Sequence, residues 1–119
     1  MSDDRRFSWG HININVRDLE QSIAFYRKLG FEPFIPGVPY VGLSTDETAQ
    51  PIPGDAAEAL GIEGNTHGRA CIMQLDDGFP KIDLTELSDQ DQAEPLANKD
   101  LGLVRICLVT EDLAGEVER

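Results

Sequence analysis

The amino-acid sequence predicts an α+β fold: a βαβββ module followed by the start of a second one. Three features carry that prediction. A strictly alternating segment runs straight into an amphipathic helical pattern near the N-terminus. Two apolar runs flank an Asp-Asp-Gly turn in the middle of the chain. The opening strand and helix pattern then recurs near the C-terminus. With 119 residues, 40% of them hydrophobic and 7% aromatic, the chain can build one ordinary core.

Residues 11–16, His-Ile-Asn-Ile-Asn-Val, alternate with period two. Ile12, Ile14 and Val16 mark a core face; His11, Asn13 and Asn15 mark a polar one. A helix follows at once. Asp18 is its N-cap and Gln21 completes a capping box. Leu19, Ile23, Phe25, Tyr26 and Leu29 form the apolar stripe, Arg27 and Lys28 suit the C-terminal dipole, and Gly30 takes the left-handed position that ends the helix.

Residues 31–35 and 40–43 read as two strands, or one broken strand, divided by Pro36-Gly37-Val38-Pro39. Residues 44–68 lose strand periodicity and read as a long insert loop, with a short helix over 55–60 capped by Asp55 and stopped by Gly61. Residues 69–75 and 80–87 form a hairpin around Asp76-Asp77-Gly78. Along the returning strand Asp83 and Thr85 share one face, and Ile82, Leu84 and Glu86 the other. The expected organisation is a first module over 1–87, a polar linker over 88–101, and the beginning of a second module over 102–119: a strand over 102–109 and a helix opened by Asp112. Because this second unit has no sheet of its own, the chain reads either as a piece of a longer protein or as one that completes its sheet with a second copy.

Ten basic against 22 acidic residues give a net charge of −12. Nucleic-acid binding depends on Lys and Arg neutralising phosphates, so that class is excluded, as is docking on anionic membranes. No run of about 20 apolar residues predicts a membrane span, and the N-terminus lacks the apolar core of a signal peptide. Cys71 and Cys107 both sit in apolar runs and are expected as buried, reduced thiols of a cytoplasmic protein.

Residues 11–31, from His11-Ile12-Asn13 through Phe25-Tyr26-Arg27-Lys28-Leu29-Gly30-Phe31, resemble the opening of the vicinal oxygen chelate superfamily, which includes glyoxalases, bleomycin resistance proteins and extradiol dioxygenases. Residues 81–87, Lys-Ile-Asp-Leu-Thr-Glu-Leu, resemble the fourth strand of the same module, and 102–113 the start of its second. The resemblance implies paired modules forming a cup around a divalent metal (Zn, Ni, Fe or Mn) that polarises vicinal oxygens of a small-molecule substrate. It places the metal ligands on His11 and Asp83, with Glu86 as competitor for the fourth-strand position.

At the second module the pattern departs, because Arg105 stands where a second His is expected. A guanidinium has no lone pair for a metal. Arg105 is therefore expected either to grip a substrate anion or to pair with Asp83 in a metal-free pocket. Asn13 is a second candidate substrate contact, and Asn15 a hydrated neighbour. The plain reading of His11 is a strand histidine hydrogen-bonded to Asp83. His67, in a Gly-rich segment, reads as a solvated loop residue rather than a catalytic base, and Phe34, Tyr40 and Phe79 as core packing rather than pocket walls. Two functions follow: a glyoxalase- or dioxygenase-like metalloenzyme (lyase, isomerase or dioxygenase), or a metal-free module that sequesters a ligand as bleomycin resistance proteins do. An incomplete second module leaves unpaired strand edges, so a homodimer is expected.

Overall fold

A computed structural model describes residues 6–35, 37–38, 43–46, 48–88 and 94–118. In chain order the elements are β1 (His11–Asn15), α1 (Leu19–Lys28), β2 (Glu32–Ile35), β3 (Gly37–Val38), β4 (Leu43–Ser44), β5 (Gln50–Pro51), α2 (Gly54–Leu60), β6 (His67–Gln74), β7 (Lys81–Ser88) and α3 (Leu113–Glu118). The main sheet runs β1-β7-β6-β2, with β5 also pairing with β6. β6 and β7 form the predicted hairpin, turned at Asp76 in the left-handed region (φ 52°) and closed by Gly78 N–H donating to the Leu75 carbonyl. β1 lies parallel to β7, and that pairing requires the chain to cross from one to the other through α1, β2 and the hairpin.

Local chemistry explains why α1 forms where it does. Asp18 Oδ1 accepts from Gln21 N–H at 3.0 Å, as the capping pattern predicts, and Gly30 takes φ 100° beyond the helix end. A second cap comes from afar. The Leu19 N–H donates to Glu86 Oε2 at 2.8 Å, and the same Glu86 faces the buried Arg69 guanidinium, which also pairs with Glu20. Glu86 is therefore spent fastening the helix to the sheet.

The two faces of the sheet have different covers. On one, Leu19 and Phe31 pack with Cys71, Met73, Ile82 and Leu84, and Ile14, Ile23 and Tyr26 seal the edge. Of the predicted helix stripe, Phe25 and Leu29 depart: both are exposed, because the sheet is reached only by the 19–23–26 line of the helix. On the opposite face Leu43, Ile52 and Ala57 pack on Ala70 and Ile72. The 44–68 insert is thus an ordered cover over β6 rather than a free loop. Its helix begins at Gly54 with Pro53 as N-cap, while Asp55 accepts from its neighbour Ala56 N–H instead of capping the helix; Gly61 (φ 70°) ends it as predicted. The cover also reaches β7, where Leu87 packs against the same cluster.

Three other expectations change. Of the strand predicted over 40–43, only Leu43 falls among the described residues, and it opens β4. The strand predicted over 102–109 forms no ladder among the described residues: the segment is irregular, with Leu103, Leu108 and Val109 exposed. β-propensity alone does not make a strand without a neighbour to bond. Cys107 lies in that segment and is exposed, whereas Cys71 is buried; both are free thiols. The helix predicted after Asp112 is present as α3, and Asp112 Oδ1 accepts from Gly115 N–H. Among the described residues, no helix is long and apolar enough to cross a membrane.

Candidate functional site

The parallel register of β1 and β7 sets His11 beside Lys81, Asn13 beside Asp83 and Asn15 beside Thr85, all on the face opposite α1. It brings His11 Nε2 to 3.5 Å from Asp83 Oδ2. Asp83 is 1% exposed, so its carboxylate is held by neighbours rather than water. Thr85 donates its hydroxyl to Asp83 Oδ1 at 2.6 Å. Asn13 Nδ2 in turn donates to Thr85 Oγ1 at 3.1 Å and to the Asp83 carbonyl at 3.3 Å. The relay Asn13 to Thr85 to Asp83 fixes the carboxylate plane and turns Oδ2 toward the imidazole.

Imidazole nitrogen and carboxylate oxygen are suitable donors for Zn and its neighbours. With metal–ligand distances of about 2.0–2.2 Å, adjacent donors in a tetrahedral site stand about 3.4 Å apart. The 3.5 Å between Nε2 and Oδ2 therefore fits two neighbouring coordination positions. It fits no more than two: among the described residues no group of three His, Cys, Asp or Glu side chains is placed to hold a metal. Glu86 sits on the α1 side, spent on Leu19 and Arg69, so the strand alternation that favoured Asp83 is the arrangement found. Cys71 also faces α1, opposite Leu84 in register, and burial pushes its thiol above the ordinary range.

Arg105 lies elsewhere. It is exposed on the irregular C-terminal segment and donates to the Asn98 carbonyl at 3.3 Å; no ion pair joins it to Asp83 among the described residues. It does share a cleft with Asn13. This open cleft, of about 750 Å³, follows the outer edge of β1 and is lined by Asn13, Asn15, Tyr26, Leu87 and Arg105 among others. Burial raises the Tyr26 phenol above its ordinary value, so at neutral pH it stands there as a neutral hydroxyl. The structure thus brings Asn13 together with both His11–Asp83 and Arg105, but not Arg105 with the pair.

His67 is not a loop residue. It opens β6, is half-buried, and sets Nδ1 3.1 Å from the Asn65 carbonyl. Phe34 and Phe79 are exposed rather than core, and Tyr40 lies outside the described residues. Sequence reasoning missed Thr85 as the residue that orients Asp83, though its place two positions on, on the same strand face, was the available signal. It also missed Lys81, which is buried on that face.

Two comparisons bear on the family and the fold of the chain. The sequence profile described as the glyoxalase/bleomycin resistance protein/dioxygenase superfamily matches residues 10–119. Among solved structures, the crystal structure of a glyoxalase family protein from Bacillus cereus superposes with a TM-score of 0.71 at 19% identity, over 99% of this chain and 72% of that one. At that identity the likeness concerns the fold. No curated protein matches the chain.

Proposed function

The chain belongs to the glyoxalase/bleomycin resistance protein/dioxygenase superfamily, and from that membership we propose that it acts on a small molecule held against the polar face of β1 and β7, with His11 and Asp83 as two ligands of a divalent metal. The observation that supports this reading is the 3.5 Å approach of His11 Nε2 to a buried, Thr85-oriented carboxylate. When bound, such a metal (Zn, Ni, Fe or Mn) supplies Lewis-acid polarisation of vicinal oxygens. The chain's own part is to hold that centre: Thr85 and Asn13 fix Asp83, and the insert keeps the β6 half of the face apolar. Asn13 and Arg105, on the shared cleft, are the candidate contacts for polar or anionic substrate groups. Remaining ligands come from a second module, which a homodimer supplies through the outer edge of β1.

A second reading is a metal-free binding module. It is favoured by the donor count, since only two ligands meet among the described residues and Asp83 is already satisfied by Thr85. Elemental analysis of exhaustively dialysed, tag-free protein decides between them. Stoichiometric metal that disappears in both His11→Ala and Asp83→Asn supports the metal centre. Absence of uptake from Ni²⁺, Zn²⁺, Fe²⁺ and Mn²⁺ rejects it and leaves the sequestering module.

A further inference from the structure

Residues 48–66 are fastened to the rest of the molecule unevenly. Their backbone tie is one two-residue ladder, Gln50–Pro51 against His67–Gly68, extended by the Ile52 N–H donating to the Thr66 carbonyl at 3.0 Å. Pro51 has no N–H to give that ladder. α2, at seven residues and with no side-chain cap bond, is too short to be helical on its own. What presses the segment to the sheet is apolar: Ile52 and Ala57, with the half-buried Ala56 and Ile62, pack around Ala70, Ile72 and Leu87.

The entry to the segment is gripped in another way. The β2 ladder ends at Ile72 and the β5 ladder at Gly68, so residues 69–71 pair with neither strand on that edge of β6. Thr45 fills the gap, its hydroxyl donating to the Ala70 carbonyl at 2.7 Å. There the buried Arg69 side chain donates from Nε to the Asp46 carbonyl and from Nη2 to the Thr45 carbonyl at 3.4 Å. The same guanidinium pairs with Glu20 of α1, and its Nη1 lies 3.6 Å from Glu86 Oε1 of β7. One side chain thus ties the foot of the insert to the helix on the opposite face of the sheet. Of its two carboxylate partners, Glu86 is held by the Leu19 N–H, whereas the Glu20 side chain is 66% exposed. Glu20 is the end of this tie that solvent reaches.

We propose that residues 48–66 form a flap that opens separately from the sheet, with Arg69 as its latch and Glu20 as the point of release. Opening breaks a short ladder and one small apolar cluster, while α1, β1 and the β6–β7 hairpin keep their bonds; such local openings cost less than global unfolding. The latch raises that cost, because bonds from a guanidinium are charge-assisted and Glu20 orients the group that holds the two carbonyls. An open flap lifts Ile52 and Ala57 from Ala70 and Ile72, and Ile72 is the register partner of Asp83. It therefore uncovers an apolar floor directly beside the polar face. The use of the flap, as access to that face, rests on the function proposed above; its existence does not.

The test is native-state hydrogen exchange of the full chain, read residue by residue by NMR with EDTA present throughout. The Ile52, Ala57 and Ile62 amides, each bonded within the flap or to its foot on Thr66, report its opening; the Val16 amide, bonded to the Thr85 carbonyl, reports the sheet. The three flap amides are expected to share one protection factor, at least about tenfold below that of Val16. Glu20→Gln, at an exposed side chain, is expected to lower flap protection by roughly two- to fivefold and leave Val16 unchanged. Ile52→Ala is expected to lower protection of Ala57 and Ile62 together by more than about tenfold, again sparing Val16. A Glu20 that served only the N-terminus of α1 would instead move α1 amides and leave the flap alone. Flap amides as protected as Val16, a Glu20→Gln variant with unchanged flap exchange, or equal losses at the flap and Val16 overturn the proposal. Because chelator removes metal from every arm, failure here leaves the metal centre standing, and failure of metal uptake leaves the flap standing.

Discussion

The chain writes nearly the same sentence twice and folds it differently each time. His11 to Leu19 and Arg105 to Leu113 share a strand pattern, a capping Asp and the Leu that follows. In the first copy the strand is bonded to β7 and Leu19 is 0% exposed. In the second, the corresponding segment has no ladder among the described residues and Leu113 is 69% exposed. The local signals work in both places, since Asp18 and Asp112 each cap a helix. What differs is the sheet: β7 and β6 offer the first copy hydrogen bonds and an apolar floor, and nothing described offers the second the same. Capping and periodicity choose a conformation, whereas burial against a partner gives it stability.

The largest expected difference lies at the two leucines. Leu19→Ala should cost about 2–5 kcal/mol in urea unfolding, as a buried side chain leaving a cavity. Leu113→Ala should cost less than about 0.5 kcal/mol. Equal losses would mean that the second copy is buried in solution, as a homodimer through these residues would make it. Next comes the long-range cap. Glu86→Ala should cost about 1–3 kcal/mol, because it frees the Leu19 N–H and leaves Arg69 with less counter-charge in a buried setting. This tie belongs to the first copy, joining α1 to β7.

The short-range caps should separate by less. Asp18→Ala should cost about 1 kcal/mol, and Asp112→Ala a few tenths at most, because α3 buries none of its side chains and contributes little to global unfolding. Thiol labelling is the finest probe. Cys107 should react at once with a disulfide reagent and Cys71 only upon unfolding. Burial raises the Cys71 and Tyr26 values in the folded state, so the unfolded chain ionises first. Their contribution is therefore complete below the ordinary thiol and phenol ranges and is lost as pH rises through the folded values. A pH series of unfolding midpoints above neutrality checks the sign.

Much of this was legible in the residues. Alternation over 11–16 gave the polar and apolar faces of β1, and the place of Asp83 rather than Glu86 on the polar face followed from period two. What stayed hidden was set by distant partners. Nothing in the composition of 44–68 tells that Ile52 and Ala57 close over Ala70 and Ile72, for that contact depends on β5 joining β6. Arg105 looked like a cup residue because its strand was assumed to pair, and without a ladder it turns to Asn98. Lys81 escaped notice because a lysine on a strand is ordinarily solvated. Its burial follows from Gln74, Gly78 and two rings contributed by the hairpin and β2.

The proposed function requires the His11–Asp83 pair to be a working centre rather than a strand contact. The most direct measurement follows the ring nitrogens of the chain's two histidines by ¹⁵N NMR as Zn²⁺ is added. The expected result is a saturable shift of His11 Nε2, absent in Asp83→Asn, with His67 unmoved. No change at His11, or equal changes at both histidines, would contradict it.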